Sequence, residues 1–405
     1  MASREIIQSN LKIGESVIGK YVHTKPSVVY PEKRNNLSVQ LGHSVLLPQS
    51  TVALNPGYNT NMRIDINDYA SGIIRGASLV LKINLSAVAV TGGTAEYIDA
   101  FPLHLIDELT LNSTSELMRI DGRAIRCLYE YLLSDDNRSK ILNMCYVGAS
   151  QSDRQVAASV ETTVYIWLPT PFITSGIRIA QLNGASKLTL NIRTKTLANI
   201  MQAGTNPTGT LNYCRLEALY LDMPDEDRMS IMKSPPMTMS DYFEYTKFTI
   251  SSGTASYNFD INFKSSSDLI IGYAALDSAP YTPLELSKFV VTLSNNEFPE
   301  HSISEDTNLQ DLWSLMQFGY AHTQYFYSIM FNSAIPRSNQ SSDFNFQDSK
   351  ARVYSGSCNF ANFSNPKLTV TLASTPGAAG TFYLVNIGHA IYQWPKGIME
   401  LILLR

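Results

Sequence analysis

The sequence predicts an all-β chain built from two antiparallel β-sandwiches in tandem. Three observations carry that expectation. Short strand patterns of period two recur along the chain, helical patterns are few and short, and several segments return once, in the same order, about 180 positions later.

Alternation of apolar and polar residues is clear at Met62-Arg-Ile-Asp-Ile-Asn67, Leu79-Val-Leu-Lys-Ile-Asn-Leu85 and Lys187-Leu-Thr-Leu-Asn-Ile-Arg193. It recurs at Tyr257-Asn-Phe-Asp-Ile-Asn-Phe263 and Lys367-Leu-Thr-Val-Thr-Leu372. Successive side chains of a strand point to opposite faces, so this period describes strands with one wet and one dry side. Gly, Pro, Asn and Ser clusters bound the runs, as turns between antiparallel strands require.

The repeat is specific. Lys187-Leu-Thr-Leu-Asn-Ile returns as Lys367-Leu-Thr-Val-Thr-Leu, 180 positions on (367 − 187), and Gly176 and Gly356 precede these runs at the same offset. Leu109-Thr-Leu-Asn-Ser-Thr-Ser-Glu-Leu117 matches Val291-Thr-Leu-Ser-Asn-Asn-Glu-Phe298 with one gap, and each is followed by a helical stripe. The stripes are Ile125, Leu128, Tyr129, Leu132 and Leu309, Leu312, Trp313, Met316, every pair 184 apart (313 − 129). The spacing i, i+3, i+4, i+7 gives a helix with one buried face. Leu128 and Tyr129 are therefore expected to be equivalent to Leu312 and Trp313, each set packing a helix onto one end of its sandwich. Weaker echoes join Asp65-Ile-Asn67 to Asp260-Ile-Asn262 and Tyr220 to Tyr392.

A duplicated unit of strands, an inserted helix and further strands predicts two eight-stranded jelly rolls, each with a short inserted helix. The expected divisions are an N-terminal arm (1–40), a first roll (41–224), a linker (225–238) and a second roll (239–405). The linker holds Asp225-Glu-Asp227 and Ser234-Pro-Pro236, which interrupt strand patterning.

Composition narrows the function. Charged residues are 16% of the 405, against about 25% in ordinary globular chains. Asn, Ser, Thr and 22 Tyr supply neutral polar surface instead, which suits a protein packed against neighbours. The net charge of −4 and the absence of a basic run argue against binding along a phosphate backbone, and no sequence-specific nucleic-acid contact is expected. Cys127, Cys145, Cys214 and Cys358 are scattered and read as buried reduced thiols. No metal site or cofactor is expected: the six His show no ligand spacing, no phosphate-binding loop follows a strand, and no Gly-x-Ser-x-Gly elbow occurs. Asp135-Asp136 and Asp225-Glu-Asp227 read as solvated turn charge rather than a carboxylate pair, so no catalytic residue is assigned. Tyr325-Phe-Tyr-Ser-Ile-Met-Phe331 reads as a core or interface strand.

The N-terminal arm has no counterpart in the second copy. Ile6, Ile7, Leu11, Val17 and Ile18 fall at roughly helical spacing among Arg4, Lys12 and Lys20, which predicts a short helix, weakened by Gly14 and Gly19. Two roles fit it: packing on a neighbouring subunit, or meeting an internal lipid layer through Arg4, Ile7, Leu11, Lys12 and Lys20. No apolar run reaches the roughly 18 residues of a spanning helix, and the first residues lack the apolar core of a secretory signal. The chain is expected to be soluble or to lie on a membrane.

Several segments resemble the double jelly-roll major capsid proteins of the tectivirus, adenovirus and large DNA virus lineage. Asp65-Ile-Asn-Asp-Tyr-Ala-Ser-Gly-Ile-Ile-Arg-Gly76 running into Leu79-Val-Leu-Lys-Ile83 is similar to the opening strands of the tectivirus-type protein. Phe101-Pro-Leu-His-Leu-Ile-Asp-Glu-Leu-Thr-Leu111 is similar to the strand before its first inserted helix, and Val164-Tyr-Ile-Trp-Leu-Pro-Thr-Pro171 to its Pro-ended strand. Ser355-Gly-Ser-Cys-Asn-Phe360 and Asn365-Pro-Lys-Leu-Thr-Val370 resemble a pattern of the large-virus members, whose Asn-Tyr-Asn segment is replaced here by Leu384-Val-Asn-Ile-Gly-His-Ala-Ile-Tyr-Gln-Trp394. The resemblance covers residues 60–405 and lies nearest the membrane-containing, tectivirus-like members. It implies a structural protein of the virion. Homotrimers of pseudo-hexagonal outline would tile an icosahedral shell beside neighbouring capsomers, minor capsid and vertex proteins, over an internal membrane. A carbohydrate-binding or carbohydrate-cleaving sandwich, or a minor virion protein of the same fold, is the alternative.

Overall fold

The computed structural model describes residues 40–46, 57–66, 73–74, 79–133, 135–173, 176–178, 181–182, 188–222, 229, 237–293, 296–298, 323–331, 357–363, 365–394 and 399–403. The first half contributes β1 (Gln40–Leu46), β2 (Asn61–Asp65), β3 (Ile73–Ile74), β4 (Val80–Leu85), β5 (Gly92–Tyr97), β6 (Ile106–Asn112) and β7 (Glu116–Ile120). After four helices come β8 (Thr162–Trp167), β9 (Ile177–Arg178), β10 (Thr189–Thr194), β11 (Met201–Thr205) and β12 (Leu211–Asp222). The helices are α1 (Phe101–Leu105), which precedes β6, then α2 (Gly122–Leu132), α3 (Asp135–Met144) and α4 (Gln151–Ser159). The second half supplies β13 (Met237–Ile250), β14 (Ser256–Asp260), β15 (Leu269–Leu276), β16 (Leu286–Leu293) and β17 (Asn296–Phe298). It closes with β18 (Tyr327–Met330), β19 (Lys367–Leu372), β20 (Gly380–Gln393) and β21 (Glu400–Leu403).

Each half is a sandwich of two antiparallel sheets, and the strand orders repeat. The first half has β8-β4-β12-β3-β9, with β1 on the other side of β12, facing β2-β10-β6-β7, and a separate two-stranded ribbon β5-β11. The second has β18-β15-β20-β13 facing β14-β19-β16-β17. Taken in chain order, β1, β2, β4, β6, β7, β8, β10 and β12 therefore correspond one to one with β13 through β20. Two interleaved four-stranded sheets of this kind are a jelly roll. The repeated segments fall on corresponding strands: Thr189–Thr194 is β10 and Lys367–Leu372 is β19, the paired strands of the 109–117 and 291–298 segments are β6-β7 and β16-β17, and Tyr220 and Tyr392 lie on β12 and β20. The correspondence holds for elements rather than single residues. Leu109 pairs with Ile192 while Val291 pairs with Leu368, so the strands have slid against each other since duplication.

Strand sides follow the alternation. Leu188, Leu190 and Ile192 are buried in the first core, and Leu368, Val370 and Leu372 in the second. The first insertion is larger than a single helix. Asp135-Asp136, expected in a turn, stands instead at the start of α3. Cys127, Cys145 and Cys214 are buried free thiols, but Cys358 is only partly buried. Phe326, Tyr327 and Ile329 are buried around β18, the edge strand paired to β15. The arm residues Arg4, Ile7, Leu11, Lys12 and Lys20, the second stripe with Leu312 and Trp313, and Asp225–Asp227 lie outside the described residues.

Candidate functional site between the two rolls

The densest polar constellation of the described chain sits where the two rolls meet, on α2. Asp121 starts this helix: its Oδ1 accepts from the backbone N–H of Arg123 (3.1 Å) and Ala124 (2.8 Å), satisfying donors that a helix end leaves unpaired. The second oxygen of the same carboxylate faces the other roll. Lys247 Nζ of β13 lies 2.7 Å from it, and the Tyr383 hydroxyl of β20 donates at 3.4 Å. One side chain thus caps a helix of the first roll and ties it to two strands of the second.

One turn along, Arg123 lies over the Tyr383 ring (4.7 Å) and 3.9 Å from Asp277, and Arg126 lies over the Phe326 ring (4.3 Å). Glu130 pairs with Arg126 and, at 3.1 Å, with Arg138 of α3, while the Thr323 backbone N–H donates to it at 2.8 Å. Glu130 is fully buried, Arg126 is 2% exposed and Arg138 7%. Ions this far from water persist only when paired and hydrogen-bonded. The triad itself belongs to the first roll, and the Thr323 N–H and the Phe326 ring are what reach it from the second half.

Apolar packing surrounds these charges. Leu269, Ile271, Tyr273 and Ala275 of β15, with Tyr383, Val385 and Ile387 of β20, join one continuous core with the first roll. The alternate residues Ile270, Ala274, Phe382 and Leu384 belong to the second roll's own core. Strand β15 and the middle of β20 are buried on both faces, which is why β15 reads as a continuous apolar run rather than an alternation. Helix α2 is likewise buried almost all round, with Leu128 and Tyr129 at zero exposure. The stripe legible in the sequence is the side toward its own roll, and the second roll covers much of the rest.

Tyr129 also protects an edge. Its hydroxyl donates to the Trp167 carbonyl at 2.7 Å, and the Cys145 thiol approaches the Tyr165 carbonyl at 3.7 Å. Both carbonyls point away from β4 along the free side of β8, so helices α2 and α3 occupy an edge where another strand could add. Tyr129→Phe is expected to cost about 1–2 kcal/mol, the loss of one buried hydrogen bond that leaves its acceptor unpaired. A urea midpoint unchanged from wild type would contradict this.

His104 of α1 packs edge-on against Tyr281, an aromatic of the second roll (5.8 Å). Burial, then the nearby Lys195 and Arg123 charges, pull its pKa from 6.5 down to about 3. In the window between those values the unfolded chain takes up a proton that the folded chain refuses. Stability from this group is complete above pH 6.5 and falls by about 1.4 kcal/mol per pH unit as pH drops toward 3. Replacing His104→Gln is expected to flatten that part of the stability profile, measured by denaturant unfolding at several pH values.

The sequence reading singled out Leu128 and Tyr129 but not Asp121, Arg126, Glu130, Arg138 or Lys247. Two signals for them were present: an Asp directly before an apolar stripe, and Arg126 and Glu130 one helical turn apart. Among the described residues no group of three His, Cys, Asp or Glu is placed to hold a metal ion, and no helix is long and apolar enough to cross a membrane.

No family model and no curated protein matches the sequence. Solved structures do. A crystal structure of PBCV-1 VP54, fitted into a cryo-EM reconstruction of the virophage Sputnik, superposes with TM-score 0.68 at 13% identity, over 92% of this chain and 98% of that one. The PBCV-1 virus capsid gives 0.66 at 12% identity, over 92% and 98%. The Faustovirus major capsid protein gives 0.65 at 8% identity, over 92% of both chains. At such identities the likeness rests on backbone alone, and it spans both rolls and their joint. This chain has the double jelly-roll fold of those viral major capsid proteins.

Proposed function

We propose that the chain is a viral major capsid protein whose homotrimers form pseudo-hexagonal tiles of an icosahedral shell. The observation that carries this reading is the doubled eight-strand order, with the two rolls joined by a shared apolar core and the Asp121–Lys247 ion pair. Two equivalent rolls held at one angle and repeated about a threefold axis place six similar domains in a ring. The neighbours of like fold are proteins of virus capsids, which supports a structural role in the virion rather than catalysis. The division between rolls is assigned to residues 225–238, of which the last two already pair with β20 as the start of β13. Partners are further copies of the tile and the minor capsid and vertex proteins beside it.

Light scattering with negative-stain microscopy of the purified protein tests the reading. A monodisperse trimer of pseudo-hexagonal outline is expected, and a stable monomer at micromolar concentration overturns it. The arm, residues 1–40, is assigned to the inner side of the shell, where it meets an internal lipid layer. Three basic residues contribute only about 1 kcal/mol each near an anionic surface, so single trimers bind weakly and a lattice of arms binds by avidity. Assembled shells are expected to co-float with anionic liposomes and to lose this on removal of residues 1–20. Equal flotation of both forms removes the membrane role.

A further inference from the structure

At one end of the first roll, helices α3 and α4 and the start of β8 enclose a cleft of about 570 Å³. That lies within the roughly 300–1,000 Å³ of small-molecule sites. Its walls are held in place from behind. Arg154 of α4 pairs with Glu96 of β5 (2.7 Å) and donates to the carbonyls of Tyr97 (3.0 Å) and Ala149 (2.5 Å). Gln151 donates to the same carboxylate (2.9 Å), and the Gly148 N–H donates to Asp99 (2.7 Å). The Tyr146 ring lies on Phe101 (4.9 Å), and its backbone has φ 57°, a left-handed conformation that a non-glycine residue keeps only where its surroundings impose it.

The lining mixes two chemistries. Val156 and Val160 are 61% and 49% exposed, large apolar side chains left in water at the rim. Beside them stand the Asn143 amide and the Asp153 carboxylate, both exposed. Asp153 Oδ2 accepts from the Ser150 hydroxyl (2.6 Å), whereas its Oδ1 and the Asn143 amide have no hydrogen-bond partner among the described residues. Asp153 is the one charged group among the described residues that line the cleft.

We infer that this cleft binds a neutral sugar. A sugar ring has C–H groups on its faces, which suit Val156, Val160 and the Tyr146 ring, and hydroxyls around its edge, which both donate and accept. A carboxylate oxygen and an amide supply the matching acceptors and donors. Other ligand classes fit worse. An anion would meet Asp153 and no cation. A fatty chain would strip water from Asn143 and Asp153 without replacing their hydrogen bonds. A lone cation would meet a single exposed carboxylate, an interaction of little worth in water.

The position gives the site a use. Thr162 of the lining pairs with Leu85, and Leu85 with Leu211, the first residue of β12. Gln40, to which the N-terminal arm leads, pairs with Asp222, the last residue of that strand. Eleven steps of about 3.3 Å put the two ends roughly 35 Å apart. The arm is assigned to the inner side of the shell, so the cleft opens outward, toward any sugar-bearing surface the particle meets. This outward placement rests on the capsomer reading; the cleft's chemistry does not. One sugar in so open a cleft binds weakly, and many copies on one shell bind by avidity.

Saturation-transfer NMR on full-length protein tests the assignment, with methyl α-glucoside, methyl α-galactoside, methyl α-mannoside and lactose as probes and sialyllactose as the anionic counterpart. At least one neutral sugar is expected to be saturated. The signal should fall at least fivefold in Asn143→Ala and in Val156→Trp, two exposed positions at which circular dichroism should show an unchanged fold. No signal from any neutral sugar, an unchanged signal in both variants, or tighter binding of sialyllactose than of lactose overturns the assignment. So does binding of the apolar dye anilinonaphthalene sulfonate that Val156→Trp abolishes while no sugar binds, since the cleft then docks an apolar partner. Trimers without a sugar signal leave the capsomer reading standing, and a sugar signal from a protein that stays monomeric upholds the cleft and removes the capsomer.

Discussion

Glu130→Ala is expected to destabilise the chain by about 3–5 kcal/mol, because it leaves two buried guanidinium groups, Arg126 and Arg138, without their shared anion. The loss is larger than the worth of the ion pairs themselves. Moving three charges out of water already costs several kcal/mol per ion, and the pairing largely offsets that cost. Replacing all three residues together (Arg126→Met, Glu130→Leu, Arg138→Leu) is therefore expected to recover most of the stability. The recovery will be less complete for the Thr323 backbone N–H, which loses its acceptor. Denaturant unfolding of the single and triple variants decides the matter. A single variant within about 1 kcal/mol of wild type means that water reaches the triad.

Gly122→Ala is the second large effect expected, about 3 kcal/mol or more, from steric overlap. A Cβ at this position would stand 1.8 Å from the Leu103 carbonyl oxygen of α1 and 2.7 Å from the Tyr281 hydroxyl of the second roll. Neither neighbour can yield cheaply, since one is backbone and the other belongs to a fully packed ring at the joint. Gly148→Ala provides the contrast. That glycine has φ +69° with nothing within 4 Å, so alanine there meets only the left-handed backbone penalty of about 1–2 kcal/mol. Thermal melts of the two variants are expected to differ clearly, with the Gly122 change the more damaging; equal shifts would show that α1 and α2 separate readily.

What could be read from the residues, and what could not, follows from how each element is buried. Lys367–Leu372 alternates because one side meets a core and the other meets solvent, so period two announces it. Leu269–Leu276 has no wet side, and its apolar run does not say which of two faces meets which roll. The stripe on α2 was legible through Ile125, Leu128, Tyr129 and Leu132. Arg126 and Glu130 lie between those positions and read as ordinary surface charge, since nothing local announces that a second domain will enclose them. Helices α3 and α4 have weak apolar faces, and α4 has a cap besides, with Ser150 Oγ accepting from the Asp153 N–H at 3.2 Å. Duplication was visible in matching strands, but not the slide between their registers, because a strand pattern of period two tolerates a shift of two residues without exposing its apolar side.

The double burial of β15 and β20 in the second roll has a consequence for synthesis. The ribosome releases the first roll, with α2 already capped by Asp121, before β15 and β20 exist. During that interval the apolar surface and the ion cluster that α2 turns toward the second roll face water. The second roll has the reverse difficulty: expressed alone, it would expose Leu269, Ile271, Tyr273, Val385 and Ile387 together on one flat side. Such a patch invites aggregation. Cutting the gene between the rolls is thus expected to give two insoluble fragments, and co-expression of both halves in one cell to restore soluble material.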